Sequence, residues 1–510
     1  MVRGFGIFRI VLAAASAALV LALGILFAAC SRISSSSGAA DNLTPEFFTR
    51  EIKGEISVSA YDTMRYRIYL EDAARLFEAQ YPGVIVKIET FSAMPDLTEI
   101  DFGDGQTATV SVPQDNPQSR ADYLNRISTK IMGGAGADIY AMDIIPLYKF
   151  IESNTLENLD PYMKNDPGFN RDDFRQNILE ALRYRSGIWF LPLAYFFKYY
   201  GYDSVLVPSE TAALFGADKA FGAEELFRIG LPLFDGTNKL FNMVDHDRWG
   251  DGMFLQLLNE NIRSFVNLET KQAYFTDGRF SELLESVRKY AEDGIIIQGI
   301  GGQQDAAQLM RQISEFRTDR FFFKLNSSLS LIDQFYRSSG MDVWGPGASG
   351  GSVIAVEDDD RIAGIAALSD GSVSFRYSHG FGICSQSKNK AAAWAFVKFF
   401  LSEDMQLSPT NWSMDYSLNN RAREERLEFI FSGAFMGLPA SRLSDSELKG
   451  MENYKAAVEK LSDSINTFLI QDTNISDMIA AEVRYYFNGS RTAEETARVL
   501  QNKVQLYLGE

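Results

Sequence analysis

Cysteine and histidine are almost missing from this 510-residue chain, which holds only Cys30, Cys384, His246 and His379. So few soft ligands argue against a zinc or iron–sulfur centre, and two cysteines cannot build a disulfide framework. No metal and no cofactor is expected. Positive charge is also short: 49 Lys and Arg stand against 67 Asp and Glu, for a net charge of −18. Only Arg3 and Arg9 are charged before Cys30, so the remainder carries −20. A surface this acidic repels phosphate backbones, and nucleic acid is excluded as a partner. The chain has no G-x-x-x-x-G-K stretch, hence no P-loop for ATP. With 46% hydrophobic and 23% charged residues it reads as an ordinary globular protein, long enough for at least two domains.

An uncharged hydrophobic run, Ile10 to Ala29, follows Arg3 and Arg9 and ends in Leu26-Phe27-Ala28-Ala29-Cys30. Small residues before a cysteine resemble the lipobox of bacterial lipoproteins, although Phe27 stands where leucine is usual. Residues 1–29 are therefore expected to be a lipoprotein signal peptide, with Cys30 carrying the lipid. A retained anchor is the alternative, and both readings put everything after Cys30 outside the cytoplasm. Ser34–Ser37 and Gly38 cannot pack a core, so residues 30–50 read as a flexible tether. Fifteen such residues reach roughly 20 Å.

Beyond the tether, Ile56-Ser57-Val58-Ser59-Ala60 reads as a strand. Tyr66, Tyr69, Leu70, Ala73, Leu76 and Phe77 recur at helical spacing, Tyr81-Pro82-Gly83 stops the helix, and Val84, Val86 and Ile88 alternate. This β–α–β opening predicts an α/β fold with a parallel sheet. Residues 96–120 are turn-rich and read as a long loop or insertion. Ala137–Asp143 is a strand and its end, residues 180–202 are aromatic with strand character, and 205–340 read mainly as helices. A helix is expected at 390–402. Thr492-Ala493-Glu494-Glu495 is a capping box that starts the last helix.

Four segments in this order resemble the family 1 extracellular solute-binding proteins, the maltodextrin-type receptors of ABC importers. They are Leu70–Gly83, Met132–Ile139 with Leu156–Leu159 following, Gly380–Ile383 with Ser387–Ser402, and Gly489–Glu495. The third is the most specific: a small polar loop, Lys388-Asn389, then a Trp/Phe-rich helix with Gln406 close behind. The first strand departs from the family in having Tyr61 where a tryptophan is common, and Arg317–Asn326 match poorly. The resemblance implies a periplasmic-binding-protein-like fold, two α/β lobes with a central ligand cleft and hinge crossovers. It places lobe 1 at 51–192 with 373–410 and lobe 2 at 193–372 with 411–510. It also implies a monomer that hands a small solute, a sugar above all, to the transmembrane subunits of an ABC permease.

A sugar cleft needs aromatic plates and groups that take hydroxyl hydrogen bonds. Tyr61 and Asp62 follow the first strand at its carboxyl end, where α/β sheets bind ligands, and Asp143 ends a later strand. Tyr195 lies at the first crossover, Trp249 and Trp344 in Gly-rich turns, and Trp412 with Asp415 at the last crossover. Each aromatic has a competing role as a packing residue. Asp138 reads as a structural loop holder, and Trp394 and Cys384 as core. Gly347-Ala348-Ser349-Gly350-Gly351 formally fits G-x-S-x-G, with Asp358–Asp360 and His379 downstream, so an exported serine hydrolase is the alternative to a binding protein. A ligand-presenting sensor component is a further one. Asp245, Asp247 and Asp251 hint at a calcium loop, but Trp249 stands where an acid is needed. If Cys30 is the lipid site, Cys30→Ser leaves an uncut, unlipidated precursor by mass spectrometry; unchanged mass and cleavage would mean a retained anchor.

Overall fold

The computed structural model describes residues 43–62, 66–92, 96–101, 107–112, 117–234, 236–242, 252–296, 320–328, 331, 360–411, 415–431, 445–470 and 472–510. The expected β–α–β opening is present as β1 (Gly54–Asp62), α1 (Tyr66–Gln80) and β2 (Val84–Ser92), with β1 and β2 parallel. Ile56, Val58 and Ala60 alternate into the core, and α1 buries Tyr66, Tyr69, Leu70, Ala73, Ala74 and Phe77 along one face. Helix α2 (Pro117–Met132) then leads to β3 (Ile139–Ala141), which pairs parallel with β1. The stretch expected to be a loop at 96–120 is instead an antiparallel hairpin, Asp96–Asp101 with Thr107–Val112, followed by the start of α2. Turn-rich composition had masked two strands whose alternation is short and interrupted.

Strand β4 (Leu191–Phe196) belongs to this first sheet, and β5 (Lys198–Asp203) to a second one. Only Phe197 separates them. The second sheet also takes β6 (Ala220–Phe221), β7 (Lys239–Asn242), β8 (Phe321–Ser327) and β9 (Asp360–Ala366), in the order β6-β9-β5-β8-β7. Helices α3 (Gly252–Phe265) and α4 (Arg279–Glu292) pack together beside it. The expectation of mainly helix across 205–340 therefore missed β6, β7 and β8, which are short or pair only with distant strands.

The chain returns through β10 (Ser374–Ile383), which inserts antiparallel between β4 and β3. Helix α5 (Lys390–Phe400) follows, and its Phe396 and Phe399 pack edge-on against Phe77 of α1, 4.9 and 5.4 Å between ring centres. Strands β11 (Tyr416–Ser417) and β12 (Thr467–Phe468) join the first sheet, giving β11-β4-β10-β3-β1-β2 with β12 on β10. Helices α6 (Thr473–Phe487) and α7 (Ala493–Gly509) end the chain, with α7 packed on α4 and opened by the Thr492–Glu495 capping box. Asp138 accepts from the Ser57 N–H (2.9 Å), the Ser57 hydroxyl (3.1 Å) and the Ser387 hydroxyl (2.6 Å), so it ties the loop before β3 to β1 and to the turn before α5. Trp394 is buried and donates to Asp166 at 2.7 Å. Burial pushes the Cys384 thiol up to about 11, in keeping with a small core residue.

One buried carboxylate joins α3 to the second sheet. Glu260 of α3 is 5% exposed and accepts from the Tyr200 hydroxyl (2.5 Å), Gln256 (2.8 Å) and the Ala223 N–H (2.8 Å). Burial pushes its pKa up to about 7 from 4.5, against the three hydrogen bonds that favour the charged form. The folded state thus binds the proton more tightly than the unfolded chain. The stability this contributes is full below pH 4.5 and is lost as pH rises through about 7, a change of roughly 3 kcal/mol. Glu260→Gln loses one acceptor toward Ala223, so it lowers stability at acidic pH. Chemical denaturation at pH 5 and pH 8 should show the wild type losing more stability across that interval than Glu260→Gln does.

Candidate functional site

The carboxyl ends of β1 and β3 and the middle of β10 converge on one cluster. Met142 and Asp143 follow β3 directly. Asp143 Oδ1 accepts the His379 backbone N–H at 3.0 Å and faces ring Nδ1 at 3.2 Å. The imidazole lies flat on Tyr66 at the start of α1, with 3.5 Å between ring centres and 8° between planes. His379 holds a left-handed backbone, φ 51°, inside a strand, a conformation that costs a non-glycine residue about 1 kcal/mol or more. Beside it Tyr377 donates to the Met142 carbonyl at 2.8 Å. Tyr66 is buried and its hydroxyl has no hydrogen-bond partner; burial, then the charge of Asp143, holds that phenol well above its ordinary value. Asp143 and His379 remain partly open, with 27% and 32% of their side-chain surface exposed.

Next to this cluster is a packed aromatic group, in which Tyr61 and Tyr123 are buried. Tyr61 stacks on Phe91 at 6.1 Å and tilts against Tyr123 at 5.7 Å, while its hydroxyl bonds Ser119 of α2. One residue on, Arg120 pairs with Asp477 of α6 at 2.6 Å, and both side chains are largely buried. Helix α6 packs on α7, and α7 on α4. A partly open carboxylate and imidazole beside buried phenols can exchange hydrogen bonds with a hydroxyl-bearing or weakly charged solute.

Of the residues expected from the sequence, Tyr61 and Asp143 fall in this region. Asp415 lies near the crossovers and accepts from Ser378, the neighbour of His379. Tyr195 requires a correction: it is fully buried, packed between Phe375 and Tyr416, and presents no surface to a solute. Asp62 ends β1, but its side chain, like Trp249, Trp344, Trp412, Cys30, Ser349 and the Asp245–Asp251 acids, lies outside the described residues. Sequence reasoning did not find Tyr66, Ser119, Arg120 or Asp477 as site residues, and found His379 only as a hydrolase base. Tyr66 was hidden in the buried stripe of α1, and Arg120 and Asp477 are 357 positions apart. Among the described residues no group of three metal-ligating side chains occurs, and no helix is long and apolar enough to cross a membrane.

No family model and no curated protein sequence matches this chain. Solved structures do. A family 1 extracellular solute-binding protein from Alicyclobacillus acidocaldarius superimposes with a TM-score of 0.53 at 14% identity, covering 90% of this chain and all of that one. A periplasmic solute-binding protein from Pectobacterium atrosepticum gives 0.53 at 15% identity, covering 89% and 98%. A structure described as a de novo designed esterase gives 0.51 at 12% identity, covering 90% and 99%. At such identities the likeness concerns the fold alone. The chain has the α/β fold of the periplasmic-binding-protein-like solute-binding proteins, as the sequence resemblance implied.

The strained histidine offers a check on the site. His379→Ala loses the stack and the ring's contact with Asp143, keeping the backbone N–H bond and the strain, whereas His379→Gly loses the same ring contacts and relieves the strain. Thermal unfolding should rank the glycine variant above the alanine variant by about 1 kcal/mol, the reverse of the usual order for a strand.

Proposed function

We propose that this protein is an extracytoplasmic solute-binding protein that captures a small solute, an oligosaccharide or other sugar, and delivers it to an ABC import permease. It is held at the membrane by a lipid on Cys30, with residues 1–29 removed and the tether ending before Pro45; the expected tether to residue 50 is too long, because Pro45–Thr49 is a helix whose Phe47 is buried against Tyr162. The observation that carries this reading is the cluster itself. Tyr61 and Asp143 lie at the carboxyl ends of the parallel strands β1 and β3, and His379 of β10 stands against Asp143, with the Arg120–Asp477 ion pair one residue beyond Ser119. In the two-lobed reading, binding energy gained only when both lobes touch the solute shifts an open ensemble toward a closed one. The sugar class is supported by the partly open Asp143 carboxylate and His379 imidazole, which can exchange hydrogen bonds with hydroxyls. The fold supports the general role, and the export-type N-terminus supports the location.

The test is a thermal-shift screen over sugars, peptides and polyamines, followed by small-angle scattering with the best hit. A ligand at 100 times its Kd adds about 2.7 kcal/mol, a readily seen shift. The radius of gyration should fall on binding, and Asp143→Ala should weaken affinity by about 1–3 kcal/mol through the lost hydrogen-bond acceptor. Peptides or polyamines as the only hits would remove the sugar assignment. Binding at full affinity in Asp143→Ala with no compaction would place the site elsewhere.

A further inference from the structure

His379 occupies a place in β10 that neither neighbouring strand pairs. Against β4 the register runs from Arg376 with Phe196 to Ser378 with Ala194 and resumes at Gly380 with Pro192; against β3 it begins at Phe381 with Ala141. His379 is left out of both, and its N–H goes to the Asp143 carboxylate instead. The left-handed backbone at φ 51° is thus held by side-chain contacts, the Asp143 oxygen and the stack on Tyr66. Strain kept in place by surrounding contacts is a reason to look for a second state of the same residue.

The stack itself suggests what that state is. The imidazole lies flat on Tyr66, 3.5 Å between centres and 8° between planes. Its own side chain is partly open, whereas Tyr66 beneath it is 4% exposed, so the imidazole covers one Tyr66 face. The apolar C–H face of a pyranose packs on an aromatic ring in the same flat manner. The Tyr66 hydroxyl is buried and bonds nothing, which leaves a desolvated polar group with no return from the fold alone. A strained residue, a covered ring face, an unpartnered phenol and a partly open carboxylate meet at this one contact.

We propose that the Tyr66 face is a sugar subsite and that His379 is its stopper, an inference that rests on the sugar-binding reading of the cluster and deepens it. A pyranose displaces the imidazole, stacks on Tyr66 and donates a hydroxyl to Asp143, and the backbone strain at His379 is released as the ring leaves. The titratable groups around the imidazole are Asp143 after β3, Tyr66 of α1 and, on its own strand, Tyr377; Asp415 bonds the adjacent Ser378. A protonated imidazole adds a charge-assisted bond to Asp143 and a cation over the Tyr66 ring, and both hold the stopper in place. Histidine changes charge between pH 5 and 8, so acid closes the subsite.

Maltotriose is the probe, because it carries only hydroxyls and any pH dependence then belongs to the protein. Calorimetry on the full chain at pH 7.5 should show His379→Gly binding it at least about threefold more tightly than the wild type, since the competing ring is gone and glycine carries no strain. Between pH 7.5 and 5.5 the wild type should weaken at least about fivefold, and His379→Gly less than about twofold. Glu260 titrates in the same interval, so Glu260→Gln is the control and should keep the wild-type dependence. Tyr66→Leu should weaken binding about tenfold, and Tyr66→Phe, which keeps the ring face, by no more than about threefold. A sugar-free readout is nitration of Tyr66 by tetranitromethane with peptide mass spectrometry, at least about fivefold faster in His379→Gly than in the wild type. Weaker maltotriose binding by His379→Gly would make the imidazole a contact and overturn the stopper while leaving the sugar reading intact. Equal nitration rates would show that the ring covers nothing, which also overturns it. If neither form binds maltotriose up to about 10 mM, the subsite falls together with the sugar reading.

Discussion

Strand β10 takes ladder hydrogen bonds from β4 on one side and β3 on the other, so a segment made after the whole second sheet closes the middle of the first. Everything around the candidate site depends on that insertion. It seats Phe381 on Phe400 of α5 at 4.3 Å, which in turn holds α5 against α1. It brings Tyr377 to the Met142 carbonyl and His379 to Asp143. With β10 removed, Asp143 would end a short strand facing solvent, and Tyr66 would have no ring to lie against.

The left-handed His379 shows what this arrangement costs. Between its two ladders β10 has to turn one residue out of extended geometry, and a glycine would do so without strain. Histidine is present instead, anchored by a carboxylate and a flat stack. Strain held by surrounding contacts is a mark of functional positions. The buried Arg120–Asp477 pair has the same character. Two desolvated charges give little net stability, yet either one left alone would be expensive. Such a pair favours one seating of α6 on α2 more than it adds to the stability of the fold.

The parts of the fold that were legible in the sequence are those whose signal is local. The Ile56–Ala60 strand, the Tyr66–Phe77 stripe, the Tyr81-Pro82-Gly83 stop and the Thr492–Glu495 box each write their element within a few residues. Asp138 was recognisable as a loop holder, and Trp394 as core, because their neighbours already argue for those roles. The strands at 96–112 and 220–242 were missed because turn residues or short length hide their period. Tyr195 was misplaced because its position at a crossover is a fact of sequence, while the side of the strand it faces depends on Phe375 and Tyr416, which arrive much later. Asp143 stands against His379 directly after β3, a place that its position after a strand already suggested. Arg120 with Asp477 is a pairing that exists only once distant segments are brought together.

The late arrival of β10 also has a consequence in time. Ribosomes add about 5–20 residues per second, so roughly 10–40 s separate the synthesis of β4 from that of the partner that closes it. Through that interval β3 and β4 carry open strand edges, and the first body cannot lock into its final topology. Long-range pairing of this kind slows folding further, because loop closure precedes any reward from contact. For a cytoplasmic enzyme such a delay is a hazard of aggregation. Under the proposed export, the same delay would keep the polypeptide extended while it threads the membrane.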